Sequence, residues 1–318
     1  MYSPHLFGRR SEFLALRALL TDGGDLGSLV PIVEPVMANT GDLSRCIEAF
    51  GKANTRIVVT VNPRLHEFAG NAPAVKALRK ALDDLLKKYE SVIPAFRVHP
   101  ATAKASIDSF LAAYKNRAVA LLYSSPELTD AEFKSLADYG PVAFHVVLDQ
   151  QLSSKQLAMI PVGKLVDTRD HFNKLSRNAD YNGRELFTDR HQQVGRSIAA
   201  VGDYMMVGRT LEVGGGKAGA VVIHPVFVRA GSREVWIEHF VSDDVDRDVG
   251  DVGSKFLQAA TKLTRQVRAR PAEFGANAAL ACYQRHVAEA TYPGLGKNKE
   301  YQIQHHIRTM LSVVDSVL

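Results

Sequence analysis

The feature that most limits what this chain can become is a repeat. Short apolar runs rich in β-branched residues alternate with longer amphipathic stretches through the first half of the sequence. The runs are Leu29–Val33, Arg56–Val61, Val92–Phe96, Ala118–Tyr123, Pro141–Leu148 and Lys164–Val166. Their starts lie roughly 22 to 35 residues apart, the length of a strand plus a crossover helix. The runs are continuously apolar, not alternating, which indicates strands buried on both faces. The stretches between them carry helix signals. Pro73 to Leu86 has apolar residues at three- and four-residue spacing. Asp42 stands as an N-cap before Ser44–Phe50, and Thr102–Tyr114 has the same character. Thr129 and Glu132 have the spacing of a capping box, and Ser153-Ser154 precedes another helix start.

Six strand–helix units are therefore expected. Val201–Val207 and Ala220–His224 are the candidates for a seventh and an eighth strand, separated from the sixth by a polar stretch, Asn173 to Arg196. A hairpin over Val221–Arg229 and Glu234–Val241, turning at Ala230-Gly-Ser232, would extend or replace the last strand. From Ser254 onward the periodicity is helical, broken at Pro271 and at Pro293-Gly294-Leu-Gly296. The reading is a TIM-like (β/α)8 barrel over residues 1–250, irregular in its seventh and eighth strands. Residues 251–318 are read as a C-terminal helical extension packed on it. A doubly wound open sheet is the structural alternative.

At 318 residues, 46% hydrophobic and 23% charged, the chain can bury a sizeable core. No apolar run approaches the ~20 residues of a membrane span. The start lacks the basic and apolar segments of a secretory signal. Two cysteines, Cys46 and Cys282, stand far apart without metal-ligand spacing. A reduced, cytoplasmic setting without a membrane partner is the expectation. The net charge of +5 permits contact with phosphate or nucleic acid without requiring it.

A barrel gathers its chemistry where the carboxyl ends of its strands meet the following loops. Those ends supply Glu34, Asn62, Arg97, His99, Tyr123, His145, Asp149, Asp167, Arg169, Asp170, His171, Asp203, Tyr204 and His224. Glu34 follows a buried strand directly, where a lone carboxylate is costly, and Arg97 is equally costly to bury alone. A pair between Glu34 and Arg97 or Arg10 would satisfy both. Glu34, Asp167 and His99 are the catalytic candidates. Arg10, Glu12, Asn62, Arg97, Tyr123, Arg169, Asp203 and Tyr204 are the ligand-binding ones. His145, within an apolar run, reads more readily as a core histidine. Asp149 and Asp170 can cap helices. A divalent ion held by Asp167, Asp170, His171 and Glu34 is conceivable, although their spacing matches no strict ligand motif and no cofactor is specified. Gly214-Gly-Gly-Lys217 lacks the earlier glycine and the following Ser or Thr of a phosphate loop. Lys262, Arg265, Arg268 and Arg270 form a basic cluster, followed by Lys297, Lys299, His305, His306 and Arg308. Such a face suits nucleic-acid phosphates or simply solvent.

At the N-terminus Tyr2-x-Pro4, Gly8-Arg9-Arg10-x-Glu12-x-x-Ala15-Leu16 and Pro31-Ile-Val-Glu34-Pro35 follow one another, and Gly202-Asp203-Tyr204 comes later. These motifs resemble those of the bacterial and phage "beta family protein" group, over the chain to about Val241. The resemblance implies a barrel-like α/β fold without a settled activity, in phage-related and antiviral defence settings, some members beside predicted nucleases. It carries over Arg10, Glu12, Glu34, Asp203 and Tyr204. Lysine or glutamine is also usual in the group where this chain has Arg10. Two functions follow as expectations. In one, the mouth of the barrel binds a phosphorylated or nucleotide-like anion within a defence system, with hydrolase chemistry as its enzymatic form. In the other, a non-catalytic scaffold binds a nuclease partner or nucleic acid through Lys262, Arg265 and Arg268.

Overall fold

The computed structural model describes residues 1–214 and 219–317. Seven parallel strands come first: β1 (His5–Leu6), β2 (Ile32–Val33), β3 (Ile57–Thr60), β4 (Val92–Val98), β5 (Val119–Tyr123), β6 (Val142–Leu148) and β7 (Leu165–Arg169). The chain then makes β8 (Arg184–Thr188) outside the barrel and returns as β9 (Ala200–Asp203), which pairs in parallel with β7. The eight barrel strands are neighbours in chain order. A parallel bridge from Tyr2 to Val201, with the Ser3 N–H donating to the Val201 carbonyl at 2.8 Å, joins the two edges. That closure removes the exposed edges of an open doubly wound sheet and excludes it.

Helices α1 (Arg10–Leu19), α2 (Gly41–Lys52), α3 (Ala72–Lys88), α4 (Lys104–Ala113), α5 (Asp130–Ala137) and α6 (Ser154–Met159) follow the first six strands. The Thr129–Glu132 and Ser153–Gln156 capping boxes start α5 and α6. Helix α2 starts at Gly41, so Asp42 lies in its first turn, paired with Arg45, instead of capping it.

The strand count differs from the expected one in a definite way. The first barrel strand is β1, only two residues long and half polar, too short to register as an apolar run. The expected seventh strand is thus the eighth, β9. The segment proposed as eighth forms β10 (Val222–Ile223) outside the barrel. The expected hairpin is present as β11 (Val226–Val228) and β12 (Val235–Glu238), turning through Gly231. It pairs with β8, while β10 pairs with β13 (Phe240–Val241). The polar stretch after β7 therefore supplies a strand to a small separate sheet.

Beyond this sheet come α7 (Val252–Ala269), α8 (Pro271–Phe274), α9 (Ala278–Glu289) and α10 (Leu295–Asp315). Two cores result. Val221, Ile223, Phe227 and Phe240 pack with Phe256, Leu263, Phe274, Leu280 and Tyr283 in a second core. Helix α10 belongs mainly to the first. Its Ile303, Ile307, Met310 and Val314 recur on one face, are fully buried, and join the barrel core. Arg308 donates to Asp22 and to the Leu19 and Asp25 carbonyls at and just beyond the end of α1. The last helix thus fills the place of a barrel helix between β9 and β1. The physical division of the chain is interleaved and does not fall at residue 250.

Candidate functional site

Strand register decides which side chains enter the barrel. Paired residues in a parallel sheet point to the same face. Arg97 pairs with Leu122, Leu122 with Val146, and Val146 with Val166. On the same face the ladder runs through Ala95, Thr60, Val58, Ile32 and His5, then to Glu34 just beyond β2. Gly202 and, two residues on, Tyr204 complete this inward set. The opposite parity faces the helices. Tyr123, His145, Val147, Asp167, Arg169 and Asp203 belong to it.

At the carboxyl end of the barrel the inward side chains open into a cavity of about 410 Å³. His5, Phe7, Arg97, Leu148 and Tyr204 line it from the barrel, and His66, Arg209, Leu211 and Val213 from the loops. The Arg97 guanidinium is held by the fully buried Glu34, with Nη1 to Oε2 at 2.6 Å. Asn62 fixes the Arg97 backbone from both sides, accepting from its N–H at 2.8 Å and donating to its carbonyl at 2.9 Å. Burial raises the Glu34 carboxyl above its ordinary range, and Arg97 offsets part of that rise. Glu34 Oε1 has no hydrogen-bond partner among the described residues.

His5 is 2% exposed, and neither ring nitrogen has a hydrogen-bond partner among the described residues. Burial first, and then Arg97, lower its pKa to about 3. The ring is therefore neutral at physiological pH, and its 3.8 Å approach to Glu34 is not an ion pair. Tyr204 lies against the His5 and Phe7 rings and donates to Asp149 at 3.3 Å. Burial and the Asp149 carboxylate raise its phenol well above the ordinary value. Arg209 stands at the rim, 3.9 Å from Asp149, with 59% of its side chain exposed.

Chain geometry around this mouth is tight. Gly8 adopts φ +61, and an added Cβ would lie 3.3 Å from the Glu34 carbonyl and from Pro35 Cα. Only glycine turns there without strain. The segment after Tyr204 is tied down by Asp170, which accepts from the Arg209 N–H at 2.9 Å, and by Lys174, 3.0 Å from Glu212. The Arg9 guanidinium donates to the Glu212 carbonyl.

Several residues expected at the site are elsewhere. Asp167 and Arg169 face outward. Asp167 is bound by Arg169 at 3.0 Å and Arg190 at 2.6 Å, in a cleft lined by Leu157 and Ala158 of α6. It cannot act beside Glu34. Tyr123 also faces outward, against Phe133 of α5, its hydroxyl 2.9 Å from His145 Nδ1. His145 is accordingly a core histidine. His99 lies in the loop after β4, its Nδ1 accepting from the Ala101 N–H. Glu12 is buried at the start of α1 and accepts from the Arg9 N–H at 2.9 Å, a helix cap. Asp203 faces α10. Tyr2 donates to it at 2.9 Å, and His306 Nε2 lies 3.3 Å from both of its oxygens. Burial alone would raise Asp203, but His306, His171 and the Met205 N–H together outweigh it and the carboxyl falls below its ordinary value. Arg10 is exposed and lines a second cavity, described below.

The structure does not assemble the proposed metal set. Asp167 is bound by two arginines, Asp170 accepts backbone N–H groups, His171 lies 3.2 Å from the Thr188 hydroxyl, and Glu34 holds Arg97. Among the described residues no group of three or more His, Cys, Asp or Glu could hold a metal. The Gly214–Lys217 motif falls largely outside the described residues.

The basic C-terminal cluster is mostly consumed. Lys262 binds Asp243 and the Val241 carbonyl, both at 2.7 Å. Arg270 binds Glu238 and Glu273 and lies over the Phe227 and Phe274 rings. Lys297 pairs with Glu300, and His305 and His306 are buried. Arg265 and Arg268 are exposed and have no ion pair among the described residues.

Sequence reasoning missed His5, His66 and Arg209. His5 sits in the unrecognised β1. The other two are loop residues with no spacing signal, although His66 adopts a left-handed backbone, φ +53, uncommon outside glycine. No helix of the described residues is long and apolar enough to cross a membrane. Comparison of the chain with protein-family models, curated proteins and solved structures found no match.

Proposed function

We propose that the barrel mouth binds a small phosphorylated or nucleotide-like anion. The observation that carries this reading is the Arg97 guanidinium, fixed by buried Glu34 and turned to a cavity that also holds an unpartnered, neutral His5. A fixed guanidinium presents donors in a rigid fork suited to phosphate or carboxylate oxygens. Arg209 adds a second cation at the rim, and Tyr204, its hydroxyl bound to Asp149, lines the same cavity. In this arrangement Glu34 is a positioning residue behind Arg97, not an acid or base in contact with ligand.

A hydrolase at this mouth needs a group in the cavity that can take a proton. With Glu34 behind Arg97 and Asp167 on the outer face, the imidazoles lining the cavity are His5 and His66. Burial and Arg97 hold His5 at about 3, too weak a base, which leaves His66 from the loop for that role. The setting in antiviral defence rests on the resemblance of the Tyr2, Gly8–Leu16, Pro31–Pro35 and Gly202–Tyr204 motifs to the beta family group. The test is calorimetric titration of the full chain with inorganic phosphate and pyrophosphate. Arg209→Ala, at an exposed position, is expected to weaken binding about tenfold, the loss of one charge-assisted contact. Binding that is indifferent to Arg209 and to added salt would overturn the reading.

The scaffold alternative draws mainly on Arg265 and Arg268, since Lys262, Arg270 and Lys297 have ion-pair partners and His305 and His306 are buried. It gains ground only if charge reversal at both positions abolishes binding of a nucleic acid that the wild type retains.

A further inference from the structure

A second cavity, of about 520 Å³, adjoins the mouth, between the starts of α1 and α2. The two share walls, with His66, Leu211 and Val213 lining both. Their chemistries differ. The fixed polar groups of the mouth, Arg97, His5 and Tyr204, lie at its inner end. The second cavity is lined by Phe13, Val36 and Met37 together with the shared Leu211 and Val213, with arginines at its edge.

We propose that the two cavities form one two-part site, whose ligand is a phosphorylated molecule carrying a flat apolar group, in the class of the nucleoside monophosphates. This rests on the reading of the mouth as an anion site. The phosphate is held by Arg97 and Arg209, and the ring lies between Phe13 and Met37. Three observations support the assignment. A lone phosphate fills little of a space in the ligand-sized range of about 300–1,000 Å³. Met37 and Val213 are 41% and 65% exposed at the cavity edge, apolar surface that a flat ring would remove from water. Arg10, exposed and without an ion pair among the described residues, offers a planar guanidinium that can lie on a ring face.

The experiment compares inorganic phosphate, ribose 5-phosphate, adenosine and adenosine monophosphate by calorimetry on the full chain. Adenosine monophosphate is expected to bind about tenfold or more tightly than ribose 5-phosphate. Met37→Trp fills the second cavity without changing charge, at a position exposed enough to leave the fold intact. It is expected to remove that advantage and leave ribose 5-phosphate binding in place, whereas Arg209→Ala weakens both. Equal affinities for the two phosphates, or an equal loss of both in Met37→Trp, would overturn the two-part site and leave the anion site standing. Failure of every phosphorylated probe to bind would remove both.

Discussion

Asp203 shows how far a residue's neighbours decide its role. In sequence it stands with Tyr204 at the end of a strand, and both qualify as ligand-binding. In space they point in opposite directions. Tyr204 enters the mouth, while Asp203 meets Tyr2 and His306 under α10. The pair could not be separated by reading, because the alternation that separates them depends on where β9 starts. Glu34 and Arg97 were legible as a pair from the cost of burying either alone, and they do meet. His5 was not legible, since nothing in Pro4-His5-Leu6 marks a strand without its partner β2. Asp203→Asn removes the charge from a fully buried site and leaves His306 facing an amide. It is expected to lower stability by about 3 kcal/mol, measured by urea denaturation, without changing phosphate affinity. A loss of phosphate binding in a folded Asp203→Asn protein would mean that this residue contributes to the mouth.

Among the elements, β9 carries the closure of the ring and is the most constrained. An added Cβ at Gly202 would lie 2.5 Å from the Thr168 hydroxyl and 2.6 Å from the Ser3 carbonyl. The Ser3 carbonyl is backbone and cannot step aside, so β1 or β9 must shift. Gly202→Ala is therefore expected to cost roughly 1–3 kcal/mol as an overpacked core. Hydrogen exchange should show the loss of protection first at Ser3 and Val201, whose backbones bridge the two edges. Uniform loss across all strands would argue against a local seam. The first six crossover units were readable because each helix and strand is long enough to carry its own period. The hairpin was readable from its turn. Its partner β8 was not, because Arg184–Thr188 is short and mixed, with Arg184 and Leu186 exposed and only Phe187 and Thr188 buried.

At the scale of the whole molecule, buried histidines set the response to acid. Burial lowers His5 to about 3 and His145 and His305 to about 4 from an ordinary 6.5. The unfolded chain takes up protons below about 6.5 that the folded chain refuses. Their contribution to stability is thus full above that pH and declines as pH falls toward the folded values. Glu12 and Glu34, raised by burial, act in the opposite sense, their contribution present in acid and lost as pH rises. With three such histidines against two carboxyls, and the histidines titrating in the unfolded chain within this range, the urea midpoint is expected to fall between about pH 7 and pH 5. A midpoint that is flat or rises on acidification would show that the carboxylates outweigh them. The barrel class was legible at this scale. The interleaving of the two cores was not, because α10 pairs with elements nearly the whole chain away, and local periodicity records only that a helix has an apolar face.

The position of α10 between β9 and β1 also bears on how the molecule is made. As the chain leaves the ribosome, β1 precedes the other barrel strands, yet its second neighbour follows only about 200 residues later, and the helix that covers the seam almost a hundred residues after that. Until then a nascent sheet has an open edge and an uncovered apolar strip beside it, the surface that holding chaperones recognise. A ring fastened by α10 can form early as an arc but becomes a barrel only once that helix has been made.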